Sequence, residues 1–204
     1  MAMGLRERRK LETRQAVSGV AMELFEANGF ENVTITRVAE AAGVSKMTVT
    51  NYFPRKEDLV FDRVEEIIRS LADAVTARAP GESVLTAMRR DFADRVEAQD
   101  AVPTAAFARM VQESHTLTAR TREIADIRER ALGDVIAAEC GRDDPQQRVM
   151  VAQLASVHRV LFGEGFRRVL DGQPREEITQ LLVKAAQEAF DRLQPSLGDF
   201  CVKA

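Results

Sequence analysis

The sequence predicts an all-α protein of about nine helices, with a small three-helix head at the N-terminus and a larger helical bundle behind it. Three observations point there. Aromatics make up 5% of the 204 residues and Trp is absent, while Ala, Leu, Val, Glu and Arg dominate. Ala and straight-chain residues lose little rotamer freedom in a helix. Apolar residues also recur at i, i+3/i+4 and i+7/i+8 along nearly the whole chain, the spacing of a buried helical stripe. Finally, Gly29, Gly43, Pro54, Pro80-Gly81, Gly141 and Gly172 punctuate the pattern where helices end.

In order, residues 5–28 read as one amphipathic helix with Val17, Val20, Ala21, Leu24 and Phe25 inward, closed by Gly29. Two very short periodic segments follow. Thr34 is an N-cap candidate for residues 35–42, and Ser45 for residues 46–53, with Gly43-Val44 between them and Pro54 ending the second. Helices this short are not stable alone, so they must pack crosswise on the first through Val38, Ala39, Ala42, Val44, Val49 and Phe53. That is a helix-turn-helix on a three-helix core. A long helix is then expected from Lys56 to about Ala79, and others over 82–98, through Phe107 to Ser114, and over 118–139. Two more, over 145–170 and 174–193, each have Pro near the first turn and apolar residues on more than one side. The domain boundary falls at residue 58, leaving 59–204 for the bundle.

Bulk properties narrow the function. A hydrophobic fraction of 45% suffices for buried cores and excludes a disordered chain. The net charge of −3 hides an asymmetry: the first 58 residues carry nine Lys+Arg against eight Asp+Glu, and Arg6, Arg8, Arg9, Lys10 and Arg14 crowd the first fourteen. Positive charge is thus placed where it can meet phosphate. Cys140 and Cys201 make no disulfide framework in a chain this size and suggest a reducing compartment. No apolar stretch follows the basic N-terminus, and no run approaches the ~18 residues of a spanning helix. A cytoplasmic protein without membrane contact is expected. Neither cysteine has a CxxC or His partner at metal-ligand spacing, and no G-x-S-x-G turn or glycine-rich phosphate loop is present. The sequence therefore predicts no enzyme, no metal and no cofactor.

Residues 34–59, TITRVAEAAGVSKMTVTNYFPRKEDL, closely resemble the DNA-binding signature of TetR/AcrR-type transcriptional regulators, and residues 21–30, AMELFEANGF, resemble that family's first helix and turn. The resemblance implies a dimeric repressor that binds a pseudo-palindromic, double-stranded operator through residues 1–58 and is released by a small-molecule effector held in residues 59–204. A DNA-binding dimer without an inducer, with a structural or interaction role, and an activator are the alternatives. With Val49 and Phe53 inward, Lys46, Met47 and Thr50 point outward, where Lys or Thr can read base edges and Met47 can meet a thymine methyl group. Thr36 matches a position that reaches bases in some relatives. Thr34, Thr48, Asn51 and Tyr52 offer donors to phosphate near helix ends, and Lys56 matches the family's phosphate-binding lysine. Many relatives carry an aromatic where Thr50 stands.

The resemblance further implies a homodimer through the last two helices, where Ala152, Ala155, Gly163, Gly165, Ala185 and Ala189 permit close approach. Met88, Phe92, Phe107, Met110, Val111, Phe162 and Phe166 are candidate lining residues of the effector pocket, although apolar residues at helical spacing also build ordinary core. His115 and His158 read as packing or surface residues. Glu113, Glu139 and Glu164 would balance a cationic effector if buried.

Overall fold

The computed structural model describes residues 5–204, with side chains from residue 7, so the Arg6 side chain lies outside the described residues. Among them are nine α-helices, one 3-10 turn and no strand: α1 (Leu5–Asn28), α2 (Ile35–Ala41), α3 (Lys46–Tyr52), the 3-10 turn Lys56–Leu59, α4 (Val64–Thr76), α5 (Val84–Glu97), α6 (Ala105–Glu113), α7 (His115–Cys140), α8 (Pro145–Leu170) and α9 (Arg175–Leu197). They form two compact units. The first holds the chain up to Val64 together with Met110–Arg120; the second holds Glu65–Arg109 and Thr121–Ala204.

In the first unit, Val17, Ala21 and Phe25 of α1 bury against Val38 and Ala39 of α2, Val49 of α3, and Phe30, Val33, Phe53 and Leu59. The expected long helix from Lys56 is interrupted. A 3-10 turn covers Lys56–Leu59, and α4 starts only at Val64. In the turn between them, Arg14 donates to the Asp62 carbonyl through Nε (3.3 Å) and Nη2 (2.7 Å). Val60, Phe61 and Val64 are buried meanwhile. The chain near Ser114 joins this unit through side chains. The Ser114 hydroxyl donates to Glu31 (2.5 Å), and Arg120 donates to Asp58 (2.9 Å), whose other oxygen accepts from the Arg55 N–H (3.1 Å). The bond from Ser114 holds the Glu31 carboxyl below the usual carboxylate range.

The core of the second unit is built by Leu71 and Val75 of α4, Leu85, Met88 and Phe92 of α5, Leu132 and Ile136 of α7, and the inner faces of α8 and α9. On α8 the buried residues Gln147, Val151, Leu154, His158, Leu161 and Gly165 follow a three-four alternation that keeps one seam inward, and the buried Ala155 and Val157 widen it. Val149, Val160 and Phe162 of the same helix remain exposed. His158 is 4% exposed, with its ring edge-on to Phe92 (5.6 Å) and Phe190 (6.1 Å). Burial, then the nearby Arg128 and Arg95 cations, push its pKa down to about 3. It is a packing residue, as the sequence suggested, whereas His115 is exposed.

The C-terminal segment departs from expectation. α9 continues through Pro195 to Leu197, beyond the predicted end at 193. Proline there forfeits one helical bond, and the buried Leu197 gives the last turn an apolar anchor. The chain then returns along the α4–α5 connection, where Gly81 N–H donates to the Lys203 carbonyl (2.9 Å) and Lys203 N–H to that of Glu82 (3.0 Å). Arg78, 2% exposed, pairs with Glu139 and donates to the Val75 (2.6 Å) and Cys201 (3.0 Å) carbonyls. This return brings Cys201 to Cys140, with Cα atoms 5.8 Å apart, and the two form a disulfide. The cysteines are therefore not the separate, reduced pair that the sequence suggested. Spacing along the chain could not show it, because a tail strapped across the α4–α5 connection makes the encounter.

Two outcomes follow. The bridge closes a loop of 61 residues, for which the chain-entropy account gives about 4 kcal/mol. Thiol titration of the denatured, non-reduced protein should find no free thiol, and dithiothreitol should lower Tm by several degrees. Two titratable thiols would contradict the bridge. Secondly, the folded chain keeps His158 neutral down to about pH 3, whereas the unfolded chain takes up a proton near pH 6.5. The folded state is thus favoured fully above pH 6.5 and loses up to about 1.4 kcal/mol per unit as the pH falls toward 3. Urea titrations at pH 6 and pH 4 should show a smaller loss for His158→Phe than for the parent chain.

Candidate nucleic-acid interface

Seven residues make too short a helix to persist alone, and both α2 and α3 are that length. Caps and burial hold them. Thr34 Oγ1 accepts from the Arg37 N–H (3.2 Å) and Ser45 Oγ from the Thr48 N–H (3.0 Å), satisfying donors that the first turn leaves free. Gly43, at φ +64°, makes the turn between them in a conformation that costs glycine little. Val49 and Phe53 are fully buried, which fixes the roll of α3. Its other face then carries Lys46 and Met47 outward, Met47 being 67% exposed.

The remaining predicted contact residues are placed as follows. Thr36 and Asn51 are exposed, and Thr48 and Tyr52 half-buried. Thr34 is exposed but its hydroxyl serves as the cap of α2. Thr48 Oγ1 lies 2.8 Å from Ser45 Oγ, inside the cap of α3. Thr50 donates back to the Lys46 (3.2 Å) and Met47 (3.1 Å) carbonyls, so its short side chain lies along its own helix. Lys56 donates to the Phe30 carbonyl (2.7 Å) and stands 4.1 Å over the Phe30 ring. Burial lowers its pKa, against the pull of Glu31 and Glu57. Lys56 thus ties the turn after α1 to the turn after α3.

Arg14, in the sequence one of several N-terminal basic residues, has a structural role that its charge alone does not reveal. Its Nη1 donates to the Tyr52 carbonyl (2.8 Å), the last of α3, and its guanidinium lies 4.5 Å over the Phe53 ring. With the Asp62 bonds already described, it clamps the end of α3. Its position held the signal: 14, 17, 18, 21 and 25 share one helix face, and a charged residue on the buried stripe must have partners.

Residues 19–62, the segment that contains this geometry, match the family described as bacterial regulatory proteins, tetR family. Over 205 residues the chain is 30% identical to the HTH-type transcriptional regulator TcmR of Streptomyces glaucescens, spanning 95% of this chain and 88% of that protein. The chain belongs to the TetR family. It is a transcriptional regulator, and the curated relatives of this TetR-family chain are regulators rather than enzymes. BetI of Cronobacter sakazakii is 29% identical over 72% of this chain and 74% of its own. Among solved structures, Salmonella enterica GusR superposes with a TM-score of 0.57 at 15% identity, covering 92% of this chain and 96% of that one. A regulator assigned to the same family from Syntrophomonas wolfei gives 0.58 at 16%, over 89% and 96%. The TetR fold thus extends through both units.

The candidate pocket residues of this TetR-family chain are dispersed. Met88 and Phe92 are buried in the second unit, where Phe107 and Phe166 meet at 5.6 Å and Phe166 and Phe162 at 4.9 Å. Phe162 is itself exposed. Met110 and Val111 are buried and belong to the first unit. The three glutamates offered for a cationic effector are otherwise engaged or placed: Glu139 pairs with Arg78, Glu164 with Arg167 and Arg168, and Glu113 is exposed. Among the described residues no group of three or more His, Cys, Asp or Glu can hold a metal, and no helix is long and apolar enough to cross a membrane.

Arg14→Ala should destabilise the protein by about 2 kcal/mol, since it strands the Tyr52 and Asp62 carbonyls, whereas exposed Arg8→Ala should change stability by less than about 0.5 kcal/mol. Denaturant titration of both checks this. Equal effects would remove the clamp from the account.

Proposed function

We propose that this TetR-family regulator is a cytoplasmic repressor that holds a pseudo-palindromic operator as a homodimer and releases it when a small molecule occupies the second unit. The observation that carries the DNA part is the fixed roll of α3, with Val49 and Phe53 buried and Lys46 and Met47 exposed. On this reading Lys46, Met47, Thr50 and Thr36 meet base edges in the major groove. Thr34, Thr48, Asn51, Tyr52 and Lys56 meet phosphates, with backbone N–H groups assisting. Residues 1–58 supply the DNA-binding function and residues 59–204 the effector and dimer functions.

Dimerisation through α8 and α9 is supported by Val149 and Val160, which α8 leaves exposed on one side, beside the exposed Gly163. Such a patch on a helix whose opposite seam is already buried favours a second protein surface. A two-fold axis then sets the recognition helices about 34–36 Å apart, one turn of DNA.

Release works through the chain segments that belong to the first unit yet continue into the second. α4 begins at its edge, and Met110–Arg120 lies inside it, bonded through Ser114 to Glu31 and through Arg120 to Asp58. An effector that shifts α6 or α7 therefore acts on the head as directly as one that shifts α4. With α4 starting at Val64, beyond the 3-10 turn, the α6–α7 junction shares the role of linking effector to head.

The test is fluorescence anisotropy with DNA from the upstream intergenic region across a salt series. Palindrome-dependent binding should weaken steeply with salt, with a shallower slope for Lys56→Ala and weaker, less selective binding for Lys46→Ala. Binding no tighter than to random DNA, in protein stripped of small molecules and offered a wide DNA pool, would reject sequence-specific regulation.

A further inference from the structure

The Cys140–Cys201 bridge pins a segment with weak anchors of its own. Beyond the buried Leu197, its apolar foothold is the half-buried Phe200, while Val202 is 47% exposed. Its polar ties are mostly backbone bonds: Val84 N–H donates to the Phe200 carbonyl (3.3 Å), beside the two that join Lys203 to Gly81 and Glu82. Lys203 Nζ donates to the Thr76 carbonyl (2.7 Å) at the surface. Cys201 stands at φ +50°, a left-handed conformation that is costly for a residue other than glycine. Segments held by exposed hydrogen bonds and little apolar burial are the first to open. The covalent bridge therefore decides whether residues 198–204 stay strapped across the α4–α5 connection.

The bridge is also placed for exchange. Both cysteines are half-buried, within reach of another thiol. Arg78 Nη2 lies 3.8 Å from Cys201 Sγ, and Glu139 shares the same guanidinium. A cationic donor beside one sulfur stabilises the thiolate that leaves there, so an incoming thiolate is directed to the other sulfur, that of Cys140. Disulfides found in a reducing compartment are mostly of this reversible kind.

We propose that the Cys140–Cys201 bridge is a redox latch, opened by a protein dithiol and closed by a hydroperoxide, whose state sets how firmly the chain holds operator DNA. The proposal rests on the reading of a cytoplasmic, operator-binding regulator. In opening, a thiolate of the dithiol attacks Cys140 Sγ, the bridge breaks, and its electron pair leaves on Cys201 beside Arg78. The second thiol of the reductant then displaces Cys140, so that the reductant ends as a disulfide and the latch as two thiols. In closing, one cysteine thiolate attacks the peroxide O–O bond, giving a sulfenic acid and one water (an alcohol, from an organic hydroperoxide). The other cysteine displaces the sulfenic oxygen as water and restores the bridge. Opening frees the connection at the far end of α4, the helix that starts at Val64 on the edge of the first unit. A loosened α4 has to be ordered again on the operator, which weakens binding.

The full chain is treated with thioredoxin, recycled by its reductase and NADPH, and then with one equivalent of hydrogen peroxide. Alkylation read by mass spectrometry should find both cysteines free after the first step and neither after the second, with no denaturant present during either. A thioredoxin whose resolving cysteine is replaced by serine should be trapped on Cys140. Hydrogen exchange at the Gly81, Val84 and Lys203 amides should quicken at least about tenfold on reduction while the α8 amides stay protected. Operator affinity should fall at least about threefold on reduction. The double variant Cys140→Ser, Cys201→Ser should copy the reduced chain and ignore dithiothreitol. A bridge that thioredoxin opens only in denaturant, trapping on Cys201, unchanged exchange at the three amides, or equal operator affinity of the two forms would overturn the latch. Loss of α8 protection on reduction would overturn it as well, by making the bridge a general structural tie. Specific DNA binding by neither form, with the strap still opening and closing, would instead reject the operator reading on which the proposal rests.

Discussion

The head depends on one constraint: two seven-residue helices exist only while their apolar sides are buried on α1. Val38, Val49 and Phe53 supply that burial, and Arg14 closes it by holding the Tyr52 carbonyl at the end of α3. Everything offered to DNA follows from it. Rolling α3 to expose Val49 would cost the core its centre, so Lys46 and Met47 have one orientation available. On the proposed reading that fixed roll is what would let so small a helix discriminate, since base-edge bonds depend on geometry.

The same clamp reaches the edge of the head, where Arg14 also holds the Asp62 carbonyl in the turn between the 3-10 helix and α4. The first unit gains a second polar seam at Met110–Arg120, through Glu31–Ser114 and Asp58–Arg120. A regulator whose head includes residues from the α6–α7 junction can be addressed by more than one segment of the chain. In the second unit two arginines are opposite cases. Arg78 is buried and well supplied with acceptors, whereas Arg128 is held by a single hydroxyl.

Much of this was legible in the sequence. The helix-turn-helix announced itself through Thr34, Gly43, Ser45 and Pro54, because caps and turn residues act locally and leave a local trace. The bounds of α1 and α8 were read correctly for the same reason. What stayed hidden depends on distant partners. The turn before α4 buries Val60, Phe61 and Val64 and bonds Asp62 to a residue 48 positions earlier. The disulfide needs a tail folded back across 61 residues. Among the site residues, the sequence separated inward from outward on α3, yet it did not show Thr50 bonded to its own helix or Lys56 bent onto Phe30. Those are rotamer choices decided by neighbours from other helices.

On the proposed mechanism, effector binding changes the separation of the paired recognition helices. A spin label at Glu40→Cys, on the exposed side of α2, reports it directly by double electron–electron resonance, since the disulfide leaves Cys140 and Cys201 unlabelled. The account predicts one narrow distance in the operator complex, compatible with α3 helices about 34–36 Å apart. It also predicts a shifted or broadened distance when a releasing small molecule is bound. The same distance in both states, or no dipolar signal from a paired chain, would contradict it.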